Sequence, residues 1–324
     1  MKKMISCILF VCLFAANIGA YAEETGKLSV ISTIFAPYDF VREIAGEHAD
    51  VTMLLPPGSE SHSYEPTPQD IIKIQNCDVF IHIGGPSDAW VDKVFESMDI
   101  SNMKIIALTN CVEVVEEETV EGMETEHEHD HADYDDHDEH EDHAHEEGVE
   151  LDEHVWTAPK NAMRIVEAIA DALCDIDAAN ADIYKQNAVA YLARLDELDS
   201  IFQSIVADAN RKTLVFGDRF PFRYFADAYG LEYFAAFPGC ATETEASAAT
   251  VAFLINKVRD EEIPVVFHVE LSNKKMANVI SESTNAKVLL FHACHNVTKD
   301  EMAQNIAYLE LMTQNAENLK EALK

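Results

Sequence analysis

Leu28-Ser-Val-Ile-Ser-Thr-Ile34 is a short apolar run, followed by a helix-patterned stretch over 38–46 and a second apolar run, Val51-Thr-Met-Leu-Leu55. Continuous apolar runs of this length, without alternation, fit strands covered on both faces. Two further runs, 78–83 and 104–108, follow the same rhythm of strand and helix. That rhythm specifies βαβ units and a parallel sheet. From Lys160 to Lys212 there is no glycine and no proline, and Leu192, Leu195, Leu198, Phe202 and Ile205 recur at spacings of three and four. They share one face of a helix, which is expected over 178–208. The strand pattern then restarts at 213–216, 233–237, 265–269 and 288–291, with a last helix over 299–322. The fold class is therefore α/β: two Rossmann-like lobes with mostly parallel four-stranded sheets, joined by one long connecting helix. The expected division is an N-terminal lobe over 23–177, the linking helix over 178–208 and a C-terminal lobe over 209–324. A continuous linking helix limits relative motion of the lobes to a modest rocking. In such sheets ligands bind outside the carboxyl ends of the strands, so a cleft between the lobes is the expected site.

Residues 1–22 read as a signal peptide, with Lys2 and Lys3, an apolar core and Ala20-Tyr-Ala22. The chain is expected to be exported, to the periplasm or the cell surface. Cys12 is the one candidate for a lipid anchor, although Phe10 and Val11 before it fit such a site poorly.

The net charge is −36. A balance so acidic excludes nucleic acid, whose phosphates demand Lys and Arg, and suits cations. More than half of the charge falls in the stretch 113–153, which contains 21 acidic residues. Within it, 124–147 holds seven histidines and thirteen carboxylates. Too little apolar surface is available there to offset the entropy of ordering, so a disordered His/acidic loop is expected over 113–150. His127-Glu-His-Asp-His131 matches a zinc-protease pattern formally, but that pattern needs a helix with an apolar face, which this run lacks. The loop suits weak, exchangeable zinc binding or a solvated acidic linker.

Two histidines outside the loop carry more information. His62 lies in Leu55-Pro-Pro-Gly-Ser-Glu-Ser-His-Ser-Tyr-Glu-Pro-Thr-Pro68, whose prolines restrict the backbone. His154 lies in Asp152-Glu-His-Val-Trp-Thr-Ala-Pro159, just before a helix. Imidazoles from separate loops are what a zinc site uses, with carboxylate or water completing a tetrahedron. His48, His82 and His268 sit within or beside apolar segments and read as core histidines.

His62-x-Tyr64-Glu-Pro-Thr-Pro68 resembles the first ligand loop of the cluster A-I, zinc/manganese-type solute-binding proteins of ABC transporters. Gly84-Gly-Pro-Ser-Asp-Ala-Trp90 is similar to that family's Gly-to-Trp step, and Asp152-x-His154-x-Trp156-x-x-Pro159 to its second ligand loop. The His-rich insertion between them resembles that of the zinc-importing branch. Tyr224-Phe-Ala-x-x-Tyr-Gly-Leu231 and Glu245-x-Ser247 resemble its C-terminal lobe.

The resemblance implies a protein that captures Zn2+ in the interlobe cleft, with Mn2+ less suited, and delivers it to an ABC-type membrane permease. It implies no enzyme activity, and a monomer is expected. The alternative class is an extracellular metal-buffering or adhesin-type surface protein on the same fold. The family's third ligand, a His or Glu before the Tyr-Phe segment, is missing from Phe216-Gly-Asp-Arg-Phe-Pro-Phe-Arg-Tyr224, and Asp218 is the nearest carboxylate. Asp218 also suits a pairing with Arg219 or a helix cap. The family's final Asp is replaced by Leu290-Phe-His-Ala-Cys-His295, giving His292 as first candidate and His295 as second. The expected ligand set is His62, His154, Asp218 and His292. Cys240 and Cys294 each follow a C-lobe strand, so a disulfide, two free thiols and thiolate ligation by Cys294 all stand open.

Overall fold

The computed structural model describes residues 26–61, 64–124, 150–241 and 245–324. The signal-peptide segment 1–22, His62 and most of the acidic loop lie outside the described residues.

The first lobe runs β1 (Leu28–Ser32), α1 (Phe35–Ala45), β2 (Ala49–Met53), α2 (Pro68–Gln75), β3 (Val79–His82), α3 (Ala89–Phe95) and β4 (Lys104–Ala107). Two long helices follow, α4 (Pro159–Ile176) and α5 (Ala181–Ala207). The second lobe is β5 (Thr213–Phe220), α6 (Arg223–Tyr229), β6 (Glu232–Pro238), α7 (Ala248–Asp260), β7 (Val265–His268), α8 (Lys275–Thr284) and β8 (Lys287–Leu290). The chain closes with α9 (Lys299–Ala303) and α10 (Tyr308–Ala322).

Each sheet has four strands, all parallel, in the orders β2-β1-β3-β4 and β6-β5-β7-β8. The earliest strand of each lobe therefore sits inside its sheet, with the next strand on one side and the third on the other. That reversal of strand order opens a crevice at the carboxyl edge, and it occurs in both lobes. All eight strands expected from the apolar runs are present. The one helix expected over 299–322 is instead two. Asn305 adopts φ +53 and Ala307 is extended, which breaks the helical path between α9 and α10.

Local chemistry sets the element ends. Thr67 and Asp70 form a reciprocal capping box at the start of α2, with Pro68 in its first turn. Thr298 and Glu301 repeat the device at α9. Gly230, at φ +63, takes the left-handed turn that ends α6.

Helix α5 buries Tyr184, Ala188, Tyr191, Leu195, Leu198, Phe202 and Val206, a stripe at spacings of three and four. Leu192 and Ile205 flank this stripe, half-buried. The stripe packs against α1, α4 and α10, so elements from both lobes share one continuous apolar core. No helix among the described residues is long and apolar enough to cross a membrane.

Asp39, inside that core, takes the backbone N–H of Tyr308 at 2.8 Å and pairs with Arg42 at 3.2 Å. Burial raises its carboxyl to about 6 despite those partners. The folded protein therefore holds this proton more tightly than the unfolded chain, and the stability it contributes below pH 4 is lost as pH rises through 6. Asp39→Asn removes that dependence. We expect the variant to exceed the parent by about 2–3 kcal/mol at pH 8, with the gap closing near pH 4. Urea midpoints at the two pH values check this, and parallel pH profiles for the two proteins would contradict it.

Candidate metal centre

The carboxyl edges of both sheets converge on one small cavity of about 30 Å³. Its walls include Ser59, Glu60 and Ser61 after β2, Gly239 after β6 and Glu270 after β7, with His295 after β8 and His154 ahead of α4. A space of this size holds a single ion or water and excludes an organic solute.

His154 is fully buried in the segment that precedes α4. Asp152 Oδ1 accepts the backbone N–H of His154 at 2.8 Å and lies 3.1 Å from its Nδ1. A carboxylate on one ring nitrogen fixes the tautomer and leaves the other, Nε2, as the electron-pair donor. Burial by itself disfavours the imidazolium, but the charge and hydrogen bond of Asp152, with Glu153 and Glu117, outweigh it and raise the pKa of His154. The loop is anchored on both sides. Tyr224 donates to the Asp152 carbonyl at 2.7 Å, and Thr157 donates to the His154 carbonyl at 2.8 Å.

His295 faces His154 with ring centroids 5.5 Å apart and planes at 84°. It sits in a tight turn in which Cys294 takes φ +56. Glu270 pins this turn, accepting from Ala293 N at 2.7 Å and His295 N at 3.0 Å. Ser61 Oγ lies 3.3 Å from His295 Nδ1, which brings the residue just before His62 to the cavity. Trp156 joins the two histidine segments. It packs 5.0 Å from His295 and 5.6 Å from His154, and its indole N–H donates to the Ala293 carbonyl at 2.8 Å. Above the cavity, Arg219 of β5 pairs with Glu60 at 2.9 Å, a contact across the two lobes.

The other candidates lie elsewhere. The ring of His292 is buried within the turn, where its Nδ1 accepts from Cys294 N at 2.9 Å and lies 3.7 Å from Glu270 Oε1, and its backbone is held from both ends by Asn315. Asp218 accepts from Arg219 N at 2.9 Å and Val269 N at 3.3 Å, and burial raises its pKa. Neither lines the cavity. Next to Asp218, a Cβ on Gly217 would lie 2.6 Å from the Ala277 backbone, so α8 leaves no room there for a ligand-bearing side chain. Cys240 and Cys294 are both free thiols. Burial and the carboxylates of Glu153, Glu117 and Asp152 push the Cys240 thiol up, and burial does the same at Cys294. Reading the residues alone did not single out Glu60, Arg219 or Glu270. Their positions just after β2, at the end of β5 and just after β7 were the available signal.

The chain matches the family described as ZnuA, zinc-uptake complex component A periplasmic, over residues 30–322. It is 30% identical over 320 residues to the high-affinity zinc uptake system protein ZnuA of Bacillus subtilis, covering 98% of this chain and 95% of that protein. It is 29% identical over 324 residues to the zinc-binding lipoprotein AdcA of Streptococcus pneumoniae R6. That match takes in 99% of this chain but spans only 61% of the relative's length. The crystal structure of the Zn(II)-bound ZnuA-like domain of S. pneumoniae AdcA superposes with a TM-score of 0.73 at 26% identity, covering 92% of this chain and 99% of that one.

Proposed function

The chain belongs to the family of the periplasmic zinc-uptake component A, and from that premise we propose that it captures Zn2+ in the interlobe cavity for delivery to an ABC-type importer. The observation that carries this reading is the meeting of His154 and His295 in a cavity sized for one ion, with the His154 tautomer set by Asp152. His62 follows Ser61 of the cavity wall and is the third proposed donor. Glu60, Glu270 or a water completes the set. In this assignment His295 takes the place given above to His292, and Asp218 is a structural carboxylate that holds the end of β5 against the β7 loop.

Three imidazoles and an oxygen donor suit zinc better than manganese, by ligand softness. Binding requires neutral imidazoles, so acid releases the cargo. The carboxylates around His154 favour its protonated form, which moves this release to higher pH than a free imidazole would give. The protein acts by binding alone, as a monomer, and is exported to meet its permease.

Diffraction from zinc-soaked crystals of the full chain at the zinc edge tests the site. The expected result is one strong anomalous peak within bonding distance of His154 and His295. A principal peak elsewhere overturns the assignment.

A further inference from the structure

Beside His154, and just after Gly239 of the cavity wall, Cys240 stands where two groups of donor atoms meet. Its sulfur, one Glu153 oxygen and one His154 nitrogen lie within 4.8 Å of one another, and so do its sulfur and one oxygen each from Glu117 and Glu150. These side chains come from three stretches fixed by backbone contacts. Cys240 N donates to Glu117 Oε1 at 2.8 Å, Glu117 N donates to the Glu150 carbonyl at 2.9 Å, and Glu116 pairs with Leu151 as an antiparallel bridge. These contacts among the described residues preorganise the position.

Its charge is one-sided. Glu117 is half-buried, and Asp152 beside it is buried. Among the described residues no Lys or Arg forms an ion pair with Glu117, Glu150 or Asp152, and the partner of Asp152 is His154. Half-buried Glu117 and exposed Glu150 thus bring like charges together beside buried Asp152, and a bound cation is the largest counter-charge such a group can take. The donor set narrows the choice. Two carboxylates alone would suit Mg2+ or Ca2+, whereas a sulfur between them selects a borderline-soft ion such as Zn2+.

We propose that Glu117, Glu150 and Cys240 form a second divalent-cation site, separate from the interlobe cavity, that takes a zinc-type ion through one sulfur and two carboxylate oxygens. On binding, the Cys240 thiol proton passes to solvent as the sulfur–metal bond forms. Glu150 is exposed and offers the ion an entry. Cys240 also neighbours His154, so an ion held here is one side chain from the cavity. The site is independent of the reading given for the cavity.

Cobalt titration of the full chain separates the two sites, because only the second contains sulfur. We expect a saturable thiolate-to-cobalt charge-transfer absorption in the near ultraviolet, abolished in Cys240→Ser and retained in His154→Gln. The double variant Glu117→Gln, Glu150→Gln keeps the thiol and should shift the midpoint of this band at least tenfold to higher cobalt, which removes reliance on one substitution. Absence of the band in the parent protein, its persistence in Cys240→Ser, or an unchanged midpoint in the double variant overturns the proposal. If zinc-edge diffraction finds no ion at His154 while the cobalt band survives, the cavity reading fails and the second site stands.

Discussion

His154→Gln and His295→Gln each lower zinc affinity by about 100-fold, whereas His292→Gln leaves it within a few-fold of the parent. The size follows from the roughly 10–16 kcal/mol of a four-donor zinc site, or about 3 kcal/mol per donor, at 1.4 kcal/mol per tenfold. The contrast follows from position. His154 and His295 share the cavity wall, while the His292 ring does not line it and its Nδ1 accepts from Cys294 N. Competition against a chelator of known affinity, by calorimetry at pH 7.5, provides the measurement. Equal losses in all three variants would show that the turn as a whole matters rather than one ring. A loss confined to His292→Gln would place the metal at the His292 ring instead.

Trp156→Ala carries the largest expected stability effect, a loss of about 3–5 kcal/mol. Its side chain is fully buried at the junction of the two lobes, so the substitution opens a cavity that the fixed loops around it cannot refill. It also leaves the Ala293 carbonyl without its indole donor. Tyr308, which donates to the Trp156 carbonyl at 2.8 Å, keeps that bond and cannot replace the lost volume. Trp156→Phe retains most of the packing and forfeits chiefly the hydrogen bond, so about 1–2 kcal/mol is expected. Urea unfolding followed by circular dichroism resolves the two. Because the indole links the His154 and His295 segments, zinc affinity should fall in both variants, and more in the alanine one. An unfolding midpoint for Trp156→Ala equal to the parent's would refute the junction role.

Much of the architecture was legible because it depends on short-range patterns. The strand at Val79–His82 is a run of apolar residues buried on both faces, and the stripe through Leu195, Leu198 and Phe202 is visible at helical spacing. The break between α9 and α10 was not legible. Asn305 is exposed and takes its positive φ in a local turn, in which Ile306 N donates to the Glu301 carbonyl; asparagine is tolerated in either conformation, so its identity alone does not announce the break. The site divides along the same line. His154 is flanked by Asp152 and Pro159, whose roles are local, whereas Trp156 acts at long range through Ala293 and His295. His292 and His295 lie three apart in one turn, and nothing in the local sequence says which ring faces the cavity.

Short-range patterns were enough to specify two parallel α/β lobes and a charge suited to a cation, while His154 entered as a candidate ligand through the resemblance of its loop. Those conclusions rest on periodicity, composition and neighbouring residues, which act over a few positions. The tertiary structure alone decided that His295 rather than His292 meets His154, since Glu270 grips Ala293 N and His295 N while Cys294 adopts φ +56. It likewise brought Cys240 beside Glu117 and Glu150, over a hundred positions earlier in part, through the pairing of β6 with β5 and the bridge at Leu151. Such juxtapositions depend on which strand edges converge, and that is a property of the assembled sheets rather than of any stretch of chain.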